Sequence, residues 1–279
     1  MKHMMMITLL VLSLFGGNVE NGVEEFNKGN MSKAAEFYKK ACDGGESKGC
    51  LFLGGMYSDD KSIKQDYLKA AKLYQKACES GETLACTPLG SMYVMGQGVK
   101  QDDLKALEFY KKAFPKNEAM AYSFLGTDYS DGKNVKQDYF KAVKLFNQGC
   151  DGRDFWSCAI LGDMYFNGRG VTQDYFKAFE FFKKNCDYGF SSEGGCFNVG
   201  VLYVNGLGVK QDYKKAKEFL DKACDGGFAK GCGSIGVMYQ NGLGVKQDFK
   251  KAKELFGKAC DGGLQLGCDN YKELNMKGY

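Results

Sequence analysis

Histidine is all but missing from this chain: His3 is the only one, and it lies in a segment expected to be removed. That scarcity argues against a Ser-His-Asp or Cys-His catalytic arrangement, which needs an imidazole as base. Proline is almost as rare, with Pro88 and Pro115 set against 38 glycines, a balance that suits helices separated by glycine turns. Charge of one sign does not dominate. The net charge of +4 is small, and the lysines are spread through the chain rather than clustered, so nucleic acid is not an expected partner. Long apolar runs are absent too. The longest, Met4 to Phe15, is too short to span a bilayer and has the length of a signal-peptide core. Leu14-Phe15-Gly16 is the nearest approach to a small-x-small cleavage site, and no cysteine follows closely enough for a lipid anchor. Residues 1–17 are therefore expected to be a cleaved signal peptide, and the polar GGNVENG that follows argues against a helix continuing out of it.

What is abundant is cysteine, 12 in all, every one beyond the expected leader. Export and cysteine count support each other, because disulfides persist in oxidising compartments. The cysteines recur in pairs inside a repeat of 36 to 38 residues. The first-cysteine positions are Cys42, Cys78, Phe114, Cys150, Cys186, Cys224 and Cys260; the second are Cys50, Cys86, Tyr122, Cys158, Cys196, Cys232 and Cys268. Internal repetition at this period marks an α-solenoid.

Each copy spells out two helices. Twelve residues before the first cysteine stands Asn30 or an aspartate (Asp66, Asp102, Asp138, Asp174, Asp212, Asp248), residue types that cap helix starts. An alanine follows at four and apolar pairs at seven and eight, as in Leu73-Tyr74 and Phe181-Phe182, so one helical face is apolar. Glycine at 81, 189, 227 or 263 turns the chain. The second helix carries Leu-Gly or its equivalent, then Tyr57, Tyr93, Tyr129, Tyr165, Tyr203 or Tyr239, all expected in the core. Glycine inside a helix costs about 1 kcal/mol relative to alanine, so its recurrence implies a neighbour that needs the space. A connector such as GLGVKQD leads to the next cap. The whole is an all-α chain of about seven αα-hairpins, a single solenoid over 22–279 with capping helices at its ends, and is expected to be a monomer.

A cysteine pair joining the end of one helix to the start of the next suits a disulfide. A zinc reading needs closer knuckles and four ligands, and histidine is unavailable. The third copy loses both cysteines together, at Phe114 and Tyr122, as a bond between those positions predicts. The expected pairs are Cys42–Cys50, Cys78–Cys86, Cys150–Cys158, Cys186–Cys196, Cys224–Cys232 and Cys260–Cys268. No metal or cofactor is expected.

The pattern LGxMYxxGxGVxQDxxKAxxxYxKAC resembles Sel1-like repeats, relatives of the tetratricopeptide repeat. The added cysteine pair is similar to the Helicobacter cysteine-rich proteins. The resemblance covers Val23 to Lys277. It implies a right-handed superhelix with a concave groove, and export to the periplasm or medium. It also implies either a scaffold that binds an extended peptide, a protein or a cell-wall fragment, or a penicillin-binding, slowly β-lactam-hydrolysing protein. For the second activity, serine enzymes need SxxK with SDN-like and KTG-like elements. Ser58-Asp59-Asp60-Lys61 fits the first by letter, in a connector, and the other two are nowhere in the chain. No catalytic residue is identified. Trp156, at a position that varies between copies, is expected to be exposed, and Met92, Met164 and Met238 to pack between helices.

Thiol titration of the denatured, unreduced protein should find no free thiol. More than one pair of free thiols per chain would break the proposed pairing.

Overall fold

The computed structural model describes residues 17–132, 135–188 and 193–279, and among them every regular element is a helix. The expected leader, with His3, lies up to residue 16 outside the described residues. Contacts gather the chain into two compact units that divide after Gln137. The N-terminal unit holds α1 (17–27), α2 (Met31–Asp43), α3 (Ser47–Ser58), α4 (Tyr67–Glu79), α5 (Cys86–Met95), α6 (Asp103–Ala113) and α7 (Ala119–Asp131). A 3-10 turn, Thr83–Ala85, leads into α5 and leaves Pro88 in the first turn, where its missing N–H costs nothing. The C-terminal unit holds α8 (Tyr139–Asp151), α9 (Phe155–Asn167), α10 (Tyr175–Asp187), α11 (Glu193–Asn205), α12 (Tyr213–Asp225), α13 (Ala229–Asn241), α14 (Phe249–Asp261) and α15 (Gln265–Met276).

Six aspartates do the capping that their position foretells. Asp66, Asp138, Asp174 and Asp248 each accept from the backbone N–H three residues on, at 2.9–3.0 Å. Asp102 and Asp212 each accept from two. Asn30 does not follow them. Its side chain makes no cap bond and donates instead to Glu25, 2.8 Å away on α1. The turn after the first helix uses a left-handed residue at Gly45, Gly81, Gly227 and Gly263, but in the fourth copy that residue is Arg153, with φ at 68°.

Small residues set the packing. Ala34, Ala70, Ala106, Ala142, Ala178, Ala216 and Ala252 have no exposed surface at all. The helical glycines answer the residues eight positions past each cap. A Cβ on Gly90 would lie 2.5 Å from the Tyr110 ring, one on Gly200 2.6 Å from Leu220, and one on Gly236 2.7 Å from Phe256. Gly162 has the same relation to Phe182. These contacts join a second helix to the first helix of the next copy. That junction is the more extensive one: α3 packs more fully on α4 than α4 on α5, and α13 more fully on α14 than α12 on α13.

The same contact explains α1. Gly22 meets the Tyr38 ring and Val19 is buried, so α1 serves as the second helix of a copy preceding α2. Tertiary packing thus overrides the poor helix propensity of a stretch containing Gly17 and Gly22.

Disulfides close the looser junction, between the two helices of one copy. They join Cys42 to Cys50, Cys78 to Cys86, Cys150 to Cys158, Cys186 to Cys196, Cys224 to Cys232 and Cys260 to Cys268, with Cα atoms 4.5–5.0 Å apart. In four copies a glycine precedes the second cysteine, and a Cβ there would meet the facing residue: Gly49 on Ala41, Gly195 on Asn185, Gly231 on Ala223 and Gly267 on Ala259. Each bond closes a loop short enough that chain entropy gives about 2.5 kcal/mol. The unstapled third copy substitutes aromatic and ionic contacts. Phe114 stacks on Phe124 at 4.7 Å, Lys111 lies over the Tyr122 ring, and Lys111 pairs with Glu118 at 3.4 Å.

Gly90→Ala and Gly162→Ala should each lower the unfolding free energy by about 1–2 kcal/mol. Overpacking of about 1–3 kcal/mol exceeds the helix-propensity gain of about 1 kcal/mol. Gly55→Ala, where the new Cβ would touch only the Tyr74 hydroxyl at 3.6 Å, should stabilise. Urea denaturation of the oxidised proteins separates the two outcomes.

Candidate functional site

The connector between copies is the part of the repeat that faces solvent, and four recurring side chains build it. The aspartate caps the coming helix, and its own N–H donates to the tyrosine carbonyl of the helix before, as Asp174 does to Tyr165 at 2.9 Å. The preceding glutamine turns back. Gln65, Gln137, Gln173, Gln211 and Gln247 each donate from Nε2 to a carbonyl seven residues earlier, at 2.7–3.0 Å. Three residues past the cap, a lysine lays its stem across the tyrosine ring. Lys69 covers Tyr57, Lys105 Tyr93, Lys177 Tyr165, Lys215 Tyr203 and Lys251 Tyr239, with Nζ 4.8–5.6 Å from the centroid. These tyrosines are therefore only half-buried, and Tyr129 alone is in the core. The expectation that all six are core residues fails because one ring face meets a neighbouring helix while the other is left to the lysine. Tyr93 stacks on Phe109, Tyr165 on Phe181 and Tyr203 on Phe219.

Two residues past the cap stand Leu68 and Leu104 in the N-terminal unit and Phe140 and Phe176 in the C-terminal one, 54–81% exposed. A long apolar side chain left in water at one register of successive copies is not a packing requirement. The sequence carried this signal, since the offset from the cap is constant, but amphipathic periodicity alone does not report it.

Three clefts follow. In the N-terminal unit, Val23, Phe26, Tyr38, Leu51, Phe52 and Met56 are the apolar lining of a space of about 610 Å³. In the C-terminal unit, a cleft of about 370 Å³ lies between Phe140, Tyr165 and Lys177, and its counterpart of about 770 Å³ between Phe176, Tyr203 and Lys215.

Ser58 ends α3 rather than lying in the connector. Its hydroxyl donates to the Gly55 carbonyl at 2.8 Å and lies 3.2 Å from the Tyr74 hydroxyl, bonds that hold a helix end. Among the described residues no group of three acidic, histidine or cysteine side chains is placed to hold a metal, and no helix is long and apolar enough to cross a membrane. Trp156 is 57% exposed, and Met92, Met164 and Met238 are buried.

One polar cluster was not foreseen. Asp128 occupies the register filled by the buried Met56, Met92, Met164, Leu202 and Met238 in other copies. It accepts from the Tyr110 hydroxyl at 2.6 Å, and that hydroxyl lies 2.9 Å from Ser91. Loss of solvation raises the Asp128 carboxyl above the usual carboxylate range. The Tyr110 hydrogen bond pulls it back, and the nearby Asp131 adds to the rise. Burial likewise pushes the Tyr110 hydroxyl far up.

The family model for the Sel1 repeat matches residues 17–46, 47–82, 83–114, 119–154, 157–187, 194–228 and 230–264. The chain belongs to the Sel1 repeat family. The family's unit runs from a second helix through the connector into the next first helix, so the disulfides fall at the junctions between units. A protein of Helicobacter pylori strain J99, HcpE, named as a candidate beta-lactamase, is 42% identical over 45 residues, which is 16% of this chain and 13% of that protein. Two solved structures are similar over most of the chain. One, a protective antigen of uropathogenic Escherichia coli described as displaying an SLR fold, is 26% identical with a TM-score of 0.61, covering 94% of this chain and 56% of that one. The other, a Sel1 repeat protein from Oxalobacter formigenes, is 27% identical with a TM-score of 0.54, covering 87% and 99%. The chain thus spans little of the curated relative and about half of the antigen.

Because the folded protein holds the Asp128 proton more tightly than the unfolded chain does, this group stabilises most below the unfolded pKa. That contribution is lost as pH rises through the raised folded value. Asp128→Asn should therefore be more stable than the parent at neutral pH, the gap closing as pH falls toward about 3.9. Thermal denaturation across that range checks it; a gap constant with pH contradicts it.

Proposed function

We propose that the chain is an exported, disulfide-stapled scaffold that binds an extended segment of another protein. The observation that carries this reading is the exposed apolar residue at one register of four consecutive copies, Leu68, Leu104, Phe140 and Phe176. The helix that carries each is capped by an aspartate, and disulfides staple the copies of Leu68, Phe140 and Phe176. Each unit presents two such positions in successive copies, which suits an extended ligand better than a compact one. Six disulfides favour an oxidising compartment, the periplasm or the medium, and the apolar run at Met4 to Phe15 supplies a leader. A cell-wall fragment is the other extended ligand of that setting.

β-Lactam hydrolysis gains no residue. Ser58 is bonded into a helix end, and the named relative is matched over 13% of its length.

Immobilised oxidised protein should recover specific proteins from an envelope or culture-medium extract, and the variant Leu68→Ser/Leu104→Ser/Phe140→Ser/Phe176→Ser should not, while keeping its circular dichroism. No specific recovery by the parent sinks the reading. A chromogenic cephalosporin should be turned over no faster by native protein than by reduced, heated protein.

A further inference from the structure

The two clefts of the C-terminal unit are copies of one another. In the first, Phe140 and Val171 flank the Tyr165 ring beneath the Lys177 stem. In the second, Phe176 and Val209 flank the Tyr203 ring beneath Lys215. Their cap aspartates and connector glutamines are already occupied. Asp174 and Asp212 accept from helix-start N–H groups, and Gln173 and Gln211 donate to the carbonyls of Phe166 and Val204. The lysines are different. Lys144 and Lys177 line the first cleft, and Lys210, Lys214 and Lys215 the second. None of the five forms a carboxylate ion pair among the described residues, although Lys183 and Lys217 on the same helices do. Each cleft is therefore an apolar floor with ammonium groups in excess of carboxylates, Lys144 and Lys177 against Asp174 in the first and Lys210, Lys214 and Lys215 against Asp212 in the second.

We infer that these paired clefts bind an acidic, extended polypeptide segment that places one aromatic or aliphatic side chain, flanked by carboxylates, in each. This rests on the scaffold reading above and specifies its partner's chemistry. Charge complementarity decides the sign, because an unpaired lysine over a tyrosine ring keeps its ammonium group available to an incoming carboxylate. The exposed phenylalanines decide the class. A polyanionic glycan would satisfy the lysines but leave Phe140 and Phe176 in water, whereas an apolar side chain buries them at about 25 cal/mol per Å². Two equivalent clefts one copy apart favour a chain that engages both, since the second contact is then intramolecular.

The test uses full-length oxidised protein and a labelled peptide carrying two Glu-Asp-Phe-Asp-Glu motifs joined by a flexible Gly/Ser linker. Expected is binding on the order of tenfold or more tighter than to the one-motif peptide. Affinity should fall with added salt, and the lysine-for-acid counterpart should not bind measurably. Phe176→Ser and Lys215→Glu should each reduce the two-motif peptide to one-motif affinity, and Phe140→Ser and Lys177→Glu should do the same at the other cleft. All four side chains lie at the surface, so unchanged circular dichroism and melting temperature are expected and are checked. Equal binding of the lysine counterpart, or unaltered affinity in all four variants, overturns the inference. Loss in the lysine variants alone, with displacement by a sulfated oligosaccharide, also overturns it and assigns a polyanion site instead. If the peptide fails while protein capture from extracts persists in Phe140→Ser/Phe176→Ser, the acidic-segment inference falls and the scaffold reading stands.

Discussion

The contact on which the rest depends is the one between a glycine in a second helix and the large residue eight positions past the next cap. Gly90 against Tyr110 and Gly236 against Phe256 leave no room for a methyl group, so the two helices approach as closely as backbone allows. The fully buried alanines follow from the same closeness, because a larger residue at Ala106 or Ala252 would push the crossing apart. A helix-interior glycine costs about 1 kcal/mol. That its cost is met at Gly54, Gly90, Gly162, Gly200 and Gly236, and already at Gly22 of α1, shows where the cohesion of each unit lies.

The disulfides are better understood once that interface is recognised. They do not reinforce the tightest junction but bridge the sparser one, where the chain turns through a few residues between the two helices of a copy. A solenoid's cohesion is a sum of nearest-neighbour terms, so its weakest interface governs where it opens. A covalent link there raises the cost of local opening even though each closed loop is short. The third copy shows what happens without it. Phe114 and Phe124 stack, and Lys111 ties the turn to Glu118, so noncovalent contacts replace the bond at the same place.

Helix placement, capping aspartates and the glycine crossing were legible because each repeats at a fixed offset and each has a local physical cause. Asn30 misled because capping depends on what else competes for the side chain, and Glu25 on α1 does. The tyrosines misled for a different reason. Their spacing marks one face of a helix, but whether the far side of a ring is covered by protein or by a lysine stem is decided by the neighbouring connector. Arg153 in a left-handed turn and Asp128 in a methionine register are departures visible in the sequence, yet their consequences are set by partners distant in the chain. The exposed leucines and phenylalanines leave no such mark, because amphipathic periodicity reports only residues that must be buried.

Function in such a chain resides where the architecture leaves a side chain free. Positions that repeat with few exceptions, the aspartate, alanine, glycine and cysteine, are held by architecture and are engaged in it. The position two past the cap is not: it reads Ser32, Leu68, Leu104, Phe140, Phe176, Lys214 and Lys250, polar, then apolar, then cationic. Because its surroundings are the same in each copy, a change there alters the surface without disturbing the crossing beneath. In the C-terminal unit the change from Phe176 to Lys214 places an ammonium group beside the second cleft, while the first keeps only Lys144 and Lys177. The repeat thus separates what must stay constant for the helices to meet from what is free to set the character of a ligand, and specificity is written in the difference between neighbouring copies.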